Sequence, residues 1–92
     1  MNKVMTLNIQ ELNLTLIHTL KEWDPLGYGP ESYETEIVDV VQAVHSMNHN
    51  EKLAKQIQGI YEFSFEEMIP MAKCSEMAAQ LLRIKNSASC SL

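Results

Sequence analysis

Cysteine is scarce in this 92-residue sequence, which contains only Cys74 and Cys90. A secreted domain of this size usually needs several disulfides, because a small core alone gives little stability. The low cysteine count therefore favours a reducing compartment, and we expect a cytoplasmic protein. Residues 1–6 also lack the apolar run and the small-residue cleavage site of a signal peptide.

Long hydrophobic runs and basic clusters are also missing. No stretch approaches the roughly 18 apolar residues of a membrane-spanning helix, so we expect no contact with a membrane. The net charge is −5, and residues 24–39 contain five acidic side chains without any Lys or Arg. Such a surface repels a phosphate backbone, so we expect no nucleic-acid partner.

Three glycines and three prolines leave long uninterrupted segments with a helical apolar period. Asn8 with Glu11 predicts a capping box at the start of helix 1, which Pro25 ends. Pro30 suits the first turn of helix 2, and Asn48 or Asn50 can cap helix 3.

The expected buried faces follow from spacings of three and four residues. In helix 2 we expect Glu36, Asp39, Ala43 and Ser46 to face outward. A second capping box, Ser64 with Glu67, predicts one helical turn over 65–69 before helix 4. The predicted inward positions are Ile9, Leu12, Leu16, Leu20 and Trp23; Tyr33, Ile37, Val40, Val41 and Val44; Leu53, Ala54, Ile57, Ile60 and Tyr61; and Met71, Cys74, Met77, Ala78, Leu81 and Leu82.

These patterns together predict an all-α fold, a compact bundle of about four short helices with short connections. Residues 1–86 form the predicted single helical domain. Residues 87–92 have no apolar period and are predicted to form a flexible C-terminal tail.

The connection over residues 23–30 is the most distinctive candidate site. Trp23, Asp24, Tyr28 and Tyr33 place aromatic rings beside carboxylates, as protein-binding loops do. The alternative is a rigid corner. Trp23 and Tyr33 would then fill the end of the core, and Asp24 would accept hydrogen bonds from loop amides.

Acidic residues continue from this loop along helix 2, at Glu31, Glu36 and Asp39. One interpretation is an acidic face that binds a basic protein partner, with faster association through electrostatic steering. The other is an ordinary solvated helix surface.

Evidence for chemistry is weak. His45 and His49 have the i, i+4 spacing of paired metal ligands, but no third ligand lies near them in the sequence. Cys74 falls on an apolar stripe, where a thiol normally fills the core. We therefore predict no metal, no cofactor and no catalytic residue.

The segment Glu22-Trp23-Asp24-Pro25-Leu26-Gly27-Tyr28-Gly29-Pro30, followed by Tyr33-Glu34-Thr35-Glu36-Ile37, resembles the YugE-like family of short Bacillus-type proteins, a domain of unknown function. The resemblance continues through Ile60-Tyr61 and Phe63-Ser64-Phe65-Glu66-Glu67 and covers most of residues 7–85. It implies a compact helical fold and a bacterial cytoplasmic origin. It implies no activity, cofactor or site residue.

Three hypotheses about function remain. The leading one is a non-enzymatic protein-binding module that uses the Trp-Asp-Pro-Leu-Gly loop and the acidic helix face. The second is a small enzyme or metal-dependent hydrolase using Asp24, His45 or His49. The third is a structural homo-oligomer that buries apolar residues left outside the core, namely Leu14, Val38, Phe65 and Met68.

Overall fold

In the computed structural model of the protein, the backbone is described for residues 2–90 and the side chains for residues 10–87. Four helices follow one another: α1 (Asn2–Trp23), α2 (Glu34–Ser46), α3 (Asn50–Phe65) and α4 (Met71–Cys90). A short 3₁₀ turn (Pro30–Tyr33) leads directly into α2. The described backbone contains no strand, and the predicted all-α bundle is confirmed.

The helix α1 is longer than predicted. It begins at Asn2 and passes through Asn8, so Asn8 is not an N-cap. The reason is that residues 2–7 contain no Gly or Pro that would stop a helix before that point. The end of α1 is as predicted, because Pro25 follows Trp23 within two residues. The predicted inward side chain of Ile9 lies outside the described side chains.

The start of α3 and the connection to α4 also differ from the prediction. His49, rather than an asparagine, caps α3: its ring nitrogen Nδ1 accepts a hydrogen bond from the Lys52 amide at 3.4 Å. Ser64 lies inside α3, and the turn predicted over 65–69 does not form. The chain instead leaves the helix at Glu66, which has a left-handed φ of 57° and whose N–H donates to the Glu62 carbonyl.

The core lies between one face of each helix. The fully buried large side chains include Leu16 and Leu20 of α1, Val40 of α2 and Ile57 of α3. Most predicted inward positions are buried or half-buried, but Met71 is 37% exposed. It occupies the first position of α4.

The helix α4 continues to Cys90, beyond the predicted domain boundary at residue 86. The flexibility of residues 87–92 stays a prediction. No helix in the described part of the chain combines the length and the apolar character that crossing a membrane requires.

Candidate functional site

The loop between α1 and the 3₁₀ turn is organised around one carboxylate. Asp24 has a positive φ of 37°, and its carbonyl accepts a hydrogen bond from the Gly27 amide. Its side-chain oxygens accept the Gly29 amide at 3.1 and 3.2 Å and the Tyr33 hydroxyl at 2.5 Å. Gly27 and Gly29 also have positive φ, at 78° and 99°, which the loop requires and glycine permits.

Tyr33 forms the other half of this arrangement. Its side chain is fully buried, and its hydroxyl oxygen accepts the amides of Leu26 at 3.2 Å and Tyr28 at 3.3 Å. The hydrogen bond from Tyr33 lowers the pKa of Asp24, whereas burial, followed by that same bond, raises the pKa of Tyr33. Both groups therefore hold the loop in shape, as the rigid-corner alternative describes.

Aromatic rings join this corner to α3. Trp23 meets Tyr61 edge-to-face at a centroid distance of 5.7 Å, and Tyr33 packs at 5.5 Å from Tyr61 and 5.4 Å from Phe65. Such aromatic pairs add roughly 0.5–1.5 kcal/mol beyond area burial. Phe65 is half-buried in this cluster, so it is not the apolar surface residue that we predicted.

Tyr28 is the exposed member of the loop. Its side chain is 49% exposed and its ring lies 5.6 Å from Phe65. The neighbouring Glu67 carboxylate raises the pKa of Tyr28. Among the aromatic residues of the predicted loop site, Tyr28 is therefore the one that a partner could contact most directly.

The predicted acidic face is only partly exposed. Glu31, Glu34 and Asp39 are exposed, but Glu36 is only 8% exposed and the prediction that it faces outward is wrong. Glu36 lies one turn before the buried Val40, on the side of α2 that packs near Tyr61 of α3. The sequence did contain a signal for this burial: residues four apart lie on the same face of a helix, so Glu36 shares the face of the inward residue Val40.

Ala43 follows the same geometry, two turns after Glu36, and is 7% exposed instead of facing outward. Asp39 and Ser46 are exposed as predicted. In the described structure, the one ion pair within 4 Å joins His18 and Glu22. The carboxylates of the acidic face are therefore not neutralised by a neighbouring Lys or Arg.

The histidines and the buried cysteine do not converge. Because α2 ends at Ser46, His45 and His49 no longer share a helical face. His45 instead contacts the Asn13 amide oxygen at 2.6 Å, while His49 caps α3. No group of three or more metal-ligating side chains occurs among the described residues. Burial raises the pKa of the Cys74 thiol, which disfavours the reactive thiolate.

A groove between α2 and α3 was not predicted. Two adjoining depressions of about 300 and 280 Å³ share Asp39, Gln56 and Ile60 as lining residues. At one end lies Phe63, whose side chain is 88% exposed. Phe63 and Met68 flank the helix start predicted at Ser64, which does not form, and both side chains are exposed.

Comparison with known proteins places this helical arrangement in a family. Residues 15–91 match the domain of unknown function DUF1871. The chain belongs to this family. It is 57% identical over 75 residues to the uncharacterized protein YugE of Bacillus subtilis, covering 82% of this chain and 87% of that protein. The crystal structure of APC36109 from Bacillus stearothermophilus has a TM-score of 0.84 and 42% identity, covering 86% of this chain and 98% of the other. The predicted resemblance to the YugE-like family is confirmed.

Proposed function

We propose that this protein is a non-enzymatic protein-binding module with a basic protein as its partner. The contact surface is the outward face of α2 together with the exposed part of the preceding loop. Its residues are Tyr28, Glu31, Glu34, Val38 and Asp39. We also propose a cytoplasmic location, because the free thiol of Cys74 suits a reducing compartment.

One observation carries this proposal. Val38 is 52% exposed on α2, one turn after the exposed Glu34. The exposed Asp39 lies farther round the helix, toward the α2–α3 groove, so the apolar side chain shares this part of α2 with two carboxylates. Carboxylates beside an apolar contact suit a basic partner, because the apolar group adds buried area while the charges speed association. Asp24, Tyr33 and Glu36 support this surface from within the fold and do not contact the partner.

The test compares two charge-reversed proteins as baits in pull-downs from bacterial lysate at low salt. Glu34→Lys with Asp39→Lys removes the proposed attraction and should lose the captured partner. Glu11→Lys with Glu76→Lys makes the same change in net charge at exposed positions of α1 and α4, and should keep it. Added salt should weaken the wild-type interaction, because the Debye length falls to roughly 3 Å at 1 M.

If both charge-reversed baits lost the captured partner equally, binding would depend only on the net charge of the protein, and the proposed surface would be refuted. Melting temperatures serve as the control for folding. Glu34 lies in the first turn of α2, so its reversal should cost roughly 0.3–1 kcal/mol and leave the protein folded. Glu36 is unsuitable for this experiment because it is buried.

A further inference from the structure

The outward face of α3 has a glycine, Gly59, at its centre. Gly59 lies in the middle of this 16-residue helix and is exposed. Apart from its chain neighbours and the backbone of its own helix, no atom of the described residues lies within 4 Å of where a Cβ would stand. Glycine inside a helix costs roughly 0.8–1.0 kcal/mol relative to alanine, and the space around Gly59 would accept alanine without a clash. A close approach of another backbone at this point is a physical reason for glycine there.

Basic and acidic side chains occupy opposite halves of the same face of α3. Lys52 and Lys55 precede Gly59, whereas Glu62 and Glu66 follow it, and all four side chains are exposed. At 100° per residue, Lys52, Lys55 and Glu62 lie within about 60° of the direction of Gly59, and Glu66 follows as the C-cap residue of the helix. A helix face with a basic first half and an acidic second half is complementary to an antiparallel copy of itself.

We propose that two copies of this chain associate through α3, antiparallel about a two-fold axis at Gly59. Helix geometry then places Lys55 of each copy opposite the partner's Glu62. Lys52 lies near the end of the partner's α3, where Glu66 is the C-cap residue. The symmetry repeats each pair, which gives four attractive contacts. A parallel arrangement would place like charges together.

The same symmetry explains the position of Phe63. It lies on the α2 side of the face, where the two-fold axis sets it against Gln56 of the other copy. Gln56 lines both depressions of the α2–α3 groove, and the larger one, of about 300 Å³, also contains Ile60 and Met47. The partner's Phe63 ring, which is 88% exposed in the single chain, would cover the apolar side chains of Ile60 and Met47 in this open groove.

This interface uses α3 and the α2–α3 groove, whereas the proposed basic partner uses α2 and the preceding loop. Asp39 belongs to both surfaces, because it also lines the groove. The proposed α3 interface is a specific form of the third hypothesis from the sequence, a homo-oligomer. This interface does not contain Leu14 or Val38, and the half-buried Phe65 takes no part in it.

Sedimentation equilibrium of the full chain over a range of concentrations tests the proposal. Lys55→Glu alone and Glu62→Lys alone should each raise the dimer dissociation constant at least about tenfold, or roughly 1.4 kcal/mol. The double variant Lys55→Glu with Glu62→Lys should return to near the wild-type constant, because both charges are exchanged together. Lys73→Glu, at an exposed position of α4, is the matched control and should have little effect.

Gly59→Ala provides a second measurement that separates folding from association. It should raise the melting temperature of the dilute monomer while weakening the dimer. A wild-type protein that remains monomeric at all concentrations would overturn the proposal. So would a dimer that tolerates both single reversals, or a double variant as weak as the single ones.

Discussion

At the scale of single residues, two buried tyrosines have opposite hydrogen-bonding environments. The hydroxyl of Tyr33 donates to Asp24 and accepts two loop amides. The hydroxyl oxygen of Tyr61 is equally buried, but no hydrogen-bond partner for it is found among the described residues. The same chemical change at the two positions therefore has different consequences.

Tyr33→Phe should destabilise the protein by roughly 1–3 kcal/mol, because two partly buried loop amides lose their acceptor and the Asp24 carboxylate loses one of its donors. Tyr61→Phe removes an unpartnered hydroxyl and should be neutral or slightly stabilising. Urea unfolding of both variants, followed by circular dichroism, measures the difference. Equal losses of stability in the two variants would contradict this account of the loop.

At the scale of helices, local signals in the sequence were reliable where a breaker was present. Pro25 sets the end of α1, and Pro30 begins the 3₁₀ turn before α2. Capping boxes were unreliable, because the same residue types occur inside helices that have no reason to stop. Asn8 and Ser64 both lie within continuous helix for that reason.

What remained unpredictable depends on contacts between distant residues. The burial of Glu36 requires knowing that α3 packs against that side of α2. The role of Tyr33 in the loop requires the fold to bring its hydroxyl to Asp24. The α2–α3 groove, likewise, exists only once both helices are in place. Hydrophobic periodicity orients each helix toward the core but does not state which neighbour covers its flanks.

Lys85 is another such long-range contact. Its ammonium group, on α4, donates to the carbonyls of Val44 at 2.8 Å and Met47 at 3.2 Å, and to the Asn48 amide oxygen at 3.0 Å. The last carbonyls of α2 lack helical partners and carry the negative end of its dipole. Lys85 therefore completes the C-terminus of a helix some 40 residues earlier in the chain.

Lys85→Met keeps the aliphatic stem but removes the charge and the hydrogen bonds, so unfolding should become easier by roughly 1–2 kcal/mol. Arg83→Met is the matched control on the same helix, since Arg83 is exposed. It should change stability by no more than about 0.5 kcal/mol. Urea denaturation of the two variants supplies the measurement. If Lys85→Met and Arg83→Met lowered the stability equally, the loss would come from the reduced positive charge of α4 and not from the contact of Lys85 with α2.

At the scale of the whole molecule, groups with shifted pKa values limit the pH range of stability at both ends. Asp24 has a lowered pKa in the folded protein, chiefly through the bond from Tyr33. Its contribution is present above the unfolded pKa of about 3.9 and is lost as the pH falls through the folded value. Burial raises the pKa values of Cys74 and Tyr33, which limits stability in alkali.

Tyr61 gives the clearest alkaline prediction. Burial is the main reason that its pKa lies well above the usual value of a tyrosine, and Tyr33, Glu36 and Cys74 raise it further. Above pH of about 10 the unfolded chain ionises this tyrosine while the folded chain keeps it neutral, so stability falls by up to about 1.4 kcal/mol per pH unit from this group. Tyr61→Phe should remove that part of the slope, whereas Cys74 and Tyr33 continue to contribute in both the wild type and the variant.

Denaturant unfolding of the two proteins at a series of pH values from neutrality into alkali measures the two slopes. Parallel slopes would mean that Tyr61 ionises in the folded protein as readily as in the unfolded chain.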